Sequence, residues 1–299
     1  MNKQFGNWII FIALSIIWGS SFVLMKEGLR FLSAYQVASL RIIASGIVLL
    51  PVALRNFHGI PRNKIGYVFL SGLLGSLLPA YLFCVAEEKI ESSLAGVLNS
   101  LTPIFVLIFG AWLYKIKTSR LKIFGIIISL GGCFLLFFTQ SGFAQNSHAF
   151  HIFLVVLATI CYGINVNMVA RHLHHVPSLQ IAAMALFLNS IPAFLVLFFT
   201  GYFTSDFSHR GILISSGYSI LLGVFGTAIA SVIFYMLIKR AGAIFSSMTT
   251  YAIPVVAIIW GILYGETIGL MQVLGLIIIL AGVYLVNKKP ATAKAISKP

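Results

Sequence analysis

The chain has 299 residues, 60% of them hydrophobic and only 9% charged, with a mean hydropathy of +1.02. Soluble domains carry roughly 25% charged residues, so no soluble core of this size could hide so much apolar surface and lipid must solvate part of it. The formal net charge of +14 would suggest nucleic acid in a soluble chain. No basic patch interleaved with aromatics accompanies it here, so a nucleic-acid partner is set aside and the charge is read as the cytoplasmic loop bias of a membrane protein.

A spanning helix needs about 20 mostly apolar residues. Taken in chain order, the stretches that qualify are 7–25, 34–54, 64–86, 93–113, 120–138, 149–170, 178–200, 213–238, 244–264 and 269–286. The expected fold is therefore an all-α polytopic membrane protein of ten transmembrane helices. The first stretch, preceded by Lys3, has the outline of a cleaved signal peptide. It lacks a small-x-small cleavage site and has a counterpart later in the chain, so it is counted as a span. The breaks are short and hold nearly all the charge, and the longest are 139–148 and 201–212. The Ala/Lys/Pro-rich tail, 288–299, is expected to be disordered. Cys84, Cys133 and Cys161 fall inside apolar runs, where packing is the expected role rather than a disulfide framework.

Counting Lys and Arg in the loops sets the orientation. One side collects Lys3, Arg55, Arg62, Lys64, Lys115, Lys117, Arg120, Lys122, Arg171, Lys239, Arg240, Lys288, Lys289, Lys294 and Lys298, which makes 15. The other side collects Lys26, Arg30, Lys89 and Arg210, which makes 4. Both termini are expected in the cytoplasm, with the chain in the cytoplasmic (inner) membrane.

The chain repeats itself. Residues 72–110 align with 223–261 without a gap: Gly72 and Gly75 meet Gly223 and Gly226, Pro103 meets Pro254, and Gly110 meets Gly261. After the loss of one residue, Leu113-Tyr114 meets Leu263-Tyr264, Gly125 meets Gly275 and Gly132 meets Gly282. In the first helices, Ser15-Ile16-Ile17-Trp18-Gly19 corresponds to Thr159-Ile160-Cys161-Tyr162-Gly163. The matches are Gly and Pro, which fix backbone geometry; shared composition would not place them in order. A unit of five helices is odd, so the second copy must lie inverted. The loop charges agree, because 115–122 is basic while its partner, Gly265 to Gly269, has no Lys or Arg. The expected units are 1–140 and 148–287. Inverted repeats are a recurring design of secondary transporters.

The segment Trp18-Gly19-Ser20-Ser21-Phe22-Val23, followed by Lys26 and Arg41, resembles the start of an EamA-like domain of the drug/metabolite transporter superfamily. The run Lys239-Arg240-Ala241-Gly242-Ala243, through Pro254, Gly265-Glu266 and Gly275 to Gly282, is similar to that family's second-half pattern. The resemblance covers nearly the whole chain as two tandem domains. It implies ten helices, cytoplasmic termini and the export or uptake of small metabolites or drugs. One departure is that Tyr114-Lys115 stands where the family often has Gly-Glu after the fourth helix, a change expected to affect local capping more than transport. The small multidrug resistance proteins, distant relatives by resemblance, carry a membrane glutamate in their first helix; alignment on Met25-Lys26 puts Trp18 there.

Polar groups inside a membrane are costly and usually face a bundle interior or water-filled cavity, and transporter sites lie near the midplane where helices are interrupted. Pro103 and Pro254 are equivalent and expected to break their helices near the middle, acting in gating. Before them stand Asn99, Ser100 and Thr102 in one copy and Ser246, Ser247, Thr249, Thr250 and Tyr251 in the other. The competing reading makes these hydroxyls small packing residues. The candidate substrate-binding residues are Trp18, Ser21, Tyr81, Asn99, Tyr162, Asn165, Tyr235, Thr249 and Tyr251. Asn165 is favoured over Asn167, because residues two apart cannot share a helix face, and Asn189 is a weaker candidate. Arg41 is expected to snorkel outward or pair with an acid such as Glu87, with an anion-binding role as the alternative. No Asp or Glu lies deep in any span. The run His172-Leu173-His174-His175 lacks acids or cysteines for a metal site, and no cofactor is expected.

The expected function is a permease or exporter of a small organic solute, an amino acid or drug for example, working as a monomer or homodimer in the lipid bilayer. A lipid-acting membrane enzyme is the alternative, but no catalytic constellation is evident. A channel would be expected to show a filter loop or charged rings.

Overall fold

The structure is a computed structural model describing residues 3–56, 59–90, 92–138, 149–256, 259 and 269–287. The helices are α1 (Lys3–Gly28), α2 (Ala34–Arg55), α3 (Arg62–Glu87), α4 (Ser92–Asn99), α5 (Thr102–Tyr114) and α6 (Arg120–Phe138). After them come α7 (Ala149–His172), α8 (Ser178–Phe199), α9 (Arg210–Ala241), α10 (Ala243–Val256) and α11 (Leu270–Asn287). No strand occurs among the described residues. Six of these helices, namely α1, α2, α3, α7, α8 and α9, are long and apolar enough to cross a membrane. Their outward faces carry large apolar side chains: Ile12 and Ile16 on α1, Phe153 on α7, and Phe194 and Phe198 on α8 are all exposed. A soluble monomer would not tolerate so continuous an apolar surface, and lipid is the solvent that suits it.

Local chemistry sets the helix ends. Ser33 and Gln36 form a capping box at the start of α2, and Glu88 Oε1 accepts the Ala34 amide at 3.0 Å. These satisfy donors that a helix N-terminus leaves free. Lys115 closes α5 in the left-handed region at φ 53°. Gly242 turns the chain from α9 into α10 at φ 86° and ψ 165°, a conformation open essentially to glycine.

Two seams join the halves of the chain. Along the first, α2 and α8 run antiparallel. Gln36 Nε2 donates to the Thr200 carbonyl at 3.2 Å, Gly46 lies against Ser190 in the middle, and Gln180 Nε2 donates to Asn56 Oδ1 at 2.9 Å. The shift that aligns the first helices of the repeats also aligns Gln36 with Gln180, Gly46 with Ser190 and Asn56 with Thr200. Each contact is thus the image of another, as at a two-fold interface. Along the second seam α6 and α11 are also antiparallel. A Cβ on Gly125 would meet the Gly282 carbonyl at 2.8 Å, and one on Gly132 would meet the Gly275 carbonyl at 2.8 Å. Small residues let helix backbones approach this closely in a membrane.

Other glycine contacts are reciprocal in the same way. Gly72 abuts the Ala185 carbonyl as Gly223 abuts the Arg41 carbonyl. Gly75 packs on Asn165 as Gly226 packs on Ser21, and Gly163 packs on Phe105 as Gly19 packs on Val256.

One expectation about helix interiors needs correction. The prolines do not break continuous helices. The chain turns at Ser100 and Leu101, between α4 and α5, and Pro103 sits in the first turn of α5. In the second half a 3-10 turn, Met248–Ala252, precedes the α-helical residues that include Pro254. Proline is suited to a first turn, where its missing N–H has no partner to lose. The third helix of each half contains a π-helical segment, Leu73–Leu77 in α3 and Leu222–Ile229 in α9. Such segments are uncommon and often mark functional sites.

Candidate functional site

A partly open cavity of about 820 Å³, its mouth included, lies between the halves and is lined by α1, α2, α3, α4, α5, α7, α9 and α10. Its walls are built from eight pairs of residues equivalent in the repeat: Trp18 with Tyr162, Ser21 with Asn165, Phe22 with Val166, Gly75 with Gly226, Ser76 with Thr227, Phe83 with Phe234, Asn99 with Thr250, and Thr102 with Ile253. The remaining lining residues are Met25, Arg41, Ser231 and Tyr235.

The π segments widen α3 and α9 at Gly75-Ser76 and Gly226-Thr227, so the backbone itself forms part of the wall. The Gly226 carbonyl accepts the Trp18 Nε1 hydrogen at 3.1 Å. That bond fixes the indole, whose ring meets Phe234 edge-on with centroids 5.0 Å apart. Phe83 stacks on Tyr162 at 6.2 Å and meets Phe22 at 6.1 Å. At the break between α4 and α5, Thr102 Oγ1 donates to Asn99 Oδ1 at 3.3 Å. Tyr235 Oη reaches the Ser71 carbonyl at 3.4 Å.

Of the residues singled out from the sequence, Trp18, Ser21, Asn99, Tyr162, Asn165 and Tyr235 lie in the cavity wall. Tyr81, Thr249 and Tyr251 do not. Tyr81 Oη lies 2.7 Å from Ser39 Oγ, between α3 and α2. Thr249 Oγ1 bonds back to the Ser246 carbonyl at 2.8 Å. Tyr251 is fully buried, and its hydroxyl donates to the Ile126 carbonyl of α6 at 3.1 Å. The 3-10 turn rotates Thr250 into the cavity in place of its neighbours. Ser100, Ser246 and Ser247 likewise donate to backbone carbonyls three or four residues earlier, a local satisfaction usual for such hydroxyls. Asn167 and Asn189 hold helices together: Asn167 Nδ2 donates to the Val106 carbonyl at 2.8 Å, and Asn189 Nδ2 to the Phe69 carbonyl at 3.1 Å. His172 stacks on Tyr67 at 4.3 Å.

The model of the EamA-like transporter family matches residues 6–138 and again 149–288. The chain belongs to the EamA-like transporter family. A protein of Archaeoglobus fulgidus described as an uncharacterized transporter is 30% identical over 286 residues, covering 95% of this chain and 99% of that protein. The inner membrane transporter YedA of Escherichia coli K12, also described as uncharacterized, is 29% identical over 301 residues, covering 95% and 94%. A solved crystal structure of a protein shares the fold with a TM-score of 0.72 at 15% identity, covering 94% of this chain and 96% of that one.

Within this EamA-like chain, the sequence alone undervalued one residue. Arg41 neither turns outward nor forms an ion pair with Glu87. It lines the cavity, and its Nε donates to Thr227 Oγ1 at 2.7 Å across the two halves. Glu87 instead accepts from Ser92 Oγ at 2.9 Å. Phe22, Phe83, Phe234, Ser76, Thr227 and Ser231 also went unmarked. Their only signal was position, since several are repeat partners of one another in helices already suspected.

Proposed function

We propose that this membrane protein is a transporter that carries a small organic metabolite or drug across the cytoplasmic membrane by alternating access. The observation that carries the reading is the eightfold pairing of equivalent residues around one cavity. A site on the axis between two like halves can open to either side if the halves exchange conformations. The reading takes the chain as ten spans in two inverted five-helix units, near 1–140 and 148–287, with both termini in the cytoplasm. The antiparallel seams α2–α8 and α6–α11, with their reciprocal contacts, support this arrangement. So does the loop charge bias, because basic loops collect on the cytoplasmic face. Aromatic rings with a few amides and hydroxyls suit a metabolite of amino-acid size.

The test is uptake of a radiolabelled metabolite panel into proteoliposomes of the purified chain. At least one solute is expected to cross faster than in protein-free vesicles, and to show counterflow when unlabelled solute is trapped inside. A panel that crosses no faster than in empty vesicles would sink the reading.

A further inference from the structure

We infer that the cavity selects solutes carrying a carboxylate on an apolar or aromatic body, with the Arg41 guanidinium as the group that receives the carboxylate. This deepens the transporter reading, on which its physiological use rests.

Arg41 is the charged residue among those lining the cavity. It lies seven residues into α2, about 10 Å from that helix's start at 1.5 Å per residue. A charge at such depth is costly and marks function by default, provided a partner can be named. Among the described residues no acid lies within ion-pair distance of Arg41; the salt bridge found there is Arg30–Glu27. Nearby Glu87 accepts from Ser92 through Oε2, and its Oε1 is buried without a hydrogen-bond partner.

The guanidinium is nevertheless held in place. Its Nε is tied to Thr227 Oγ1, and the Thr227 hydroxyl in turn reaches the Leu222 carbonyl at 3.4 Å, within the π segment. A guanidinium offers five N–H donors in a planar fork. With one committed to Thr227, the terminal nitrogens keep the geometry that receives a carboxylate in bidentate fashion.

The repeat shows that the charge is not there for packing. The position equivalent to Arg41 is Ala185. Both residues do the same backbone work, since their carbonyls abut Gly223 and Gly72 respectively. The fold accepts a methyl group at one of these places, so the guanidinium is an asymmetric addition to an otherwise paired wall. Asn165 also lines the cavity, and its amide adds a polar group to the wall. The rings of Trp18, Phe83 and Phe234 supply apolar surface for its body.

The experiment compares acids with their amides, which match in shape and differ in charge. Purified full-length protein in nanodiscs is titrated with 3-phenyllactate against 3-phenyllactamide, benzoate against benzamide, and hexanoate against hexanamide, by calorimetry and thermal shift. At least one acid is expected to bind tenfold or more tighter than its amide, the order expected for a hydrogen bond to a charged group. Arg41→Gln should bring that ratio close to one. Arg41→Lys should keep part of it, because the charge stays while the planar fork is lost. Amides that bind the wild type as well as their acids, or no binding by either class, would overturn the inference without any variant. An unchanged ratio in Arg41→Gln would overturn it as well. Acid-selective binding without transport in proteoliposomes would remove the transport reading and leave the site.

Discussion

Gly282 of α11 faces Gly125 of α6 so closely that a Cβ on Gly282 would stand 2.5 Å from the Gly125 carbonyl oxygen and would also strike Ser129. The obstacle is backbone on a facing helix, which cannot rotate away. Gly282→Ala should therefore force α6 and α11 apart and destabilise the protein by about 1–3 kcal/mol, the usual cost of overpacking. Thermal unfolding in detergent measures it. Gly131 of α6, which has open space around its Cβ position, is the control, and Gly131→Ala should unfold at or above the wild-type temperature.

Asn165 and Asn167 separate binding from stability. Asn167 Nδ2 donates to the carbonyls of Val106 and Gly163, so Asn167→Ala loses a bond between helices. Such bonds average about 0.6 kcal/mol in membranes and reach about 1.7, and a drop in thermal stability of that order is expected. Asn165 lines the cavity, and its Oδ1 is buried without a hydrogen-bond partner. Asn165→Ala should weaken solute binding by more than its effect on the unfolding temperature accounts for.

Gly242 holds φ 86° and ψ 165° where α9 hands over to α10. Gly242→Ala places a Cβ in a conformation that costs about 1–3 kcal/mol. The loss should appear as a lower unfolding temperature, or as a shift of α10 that changes cavity binding.

Lys115 has the opposite prospect. It occupies the left-handed region that glycine enters without penalty. Lys115→Gly should stabilise the end of α5 by up to about 1 kcal/mol, read as a rise in unfolding temperature. Unaltered solute binding would accompany it, because Lys115 is not part of the cavity wall.

Much of the architecture was legible because Gly and Pro were its signal. The alignment that paired Gly75 with Gly226 also paired the residues now seen across the cavity, since a repeat in sequence becomes a relation in space. The π segments left no such trace. Widening one turn of α3 or α9 alters the hydrogen-bond ladder and leaves composition and hydropathy unchanged. Arg41 was misjudged for a related reason: the sequence gives a residue's depth along a helix, but its bearing around the axis depends on neighbouring helices. Tyr251 was misjudged through local geometry, because the 3-10 turn at Met248–Ala252 changes the angle between successive side chains. The prolines mark where each span is interrupted, but the interruption lies just before them, since Pro103 begins a helix as naturally as it interrupts one. Gly261, Gly265 and Glu266 lie outside the described residues.

The two glutamine bonds along α2 and α8 are alike in place and unlike in kind. Gln36 holds a main-chain oxygen at Thr200, which no substitution at that position can delete, whereas Gln180 holds the side chain of Asn56. One end of the seam is thus hard-wired and the other adjustable. Mutation can loosen the Asn56 end from either partner, so drift or design could tune how readily that side parts while the far end stays tethered.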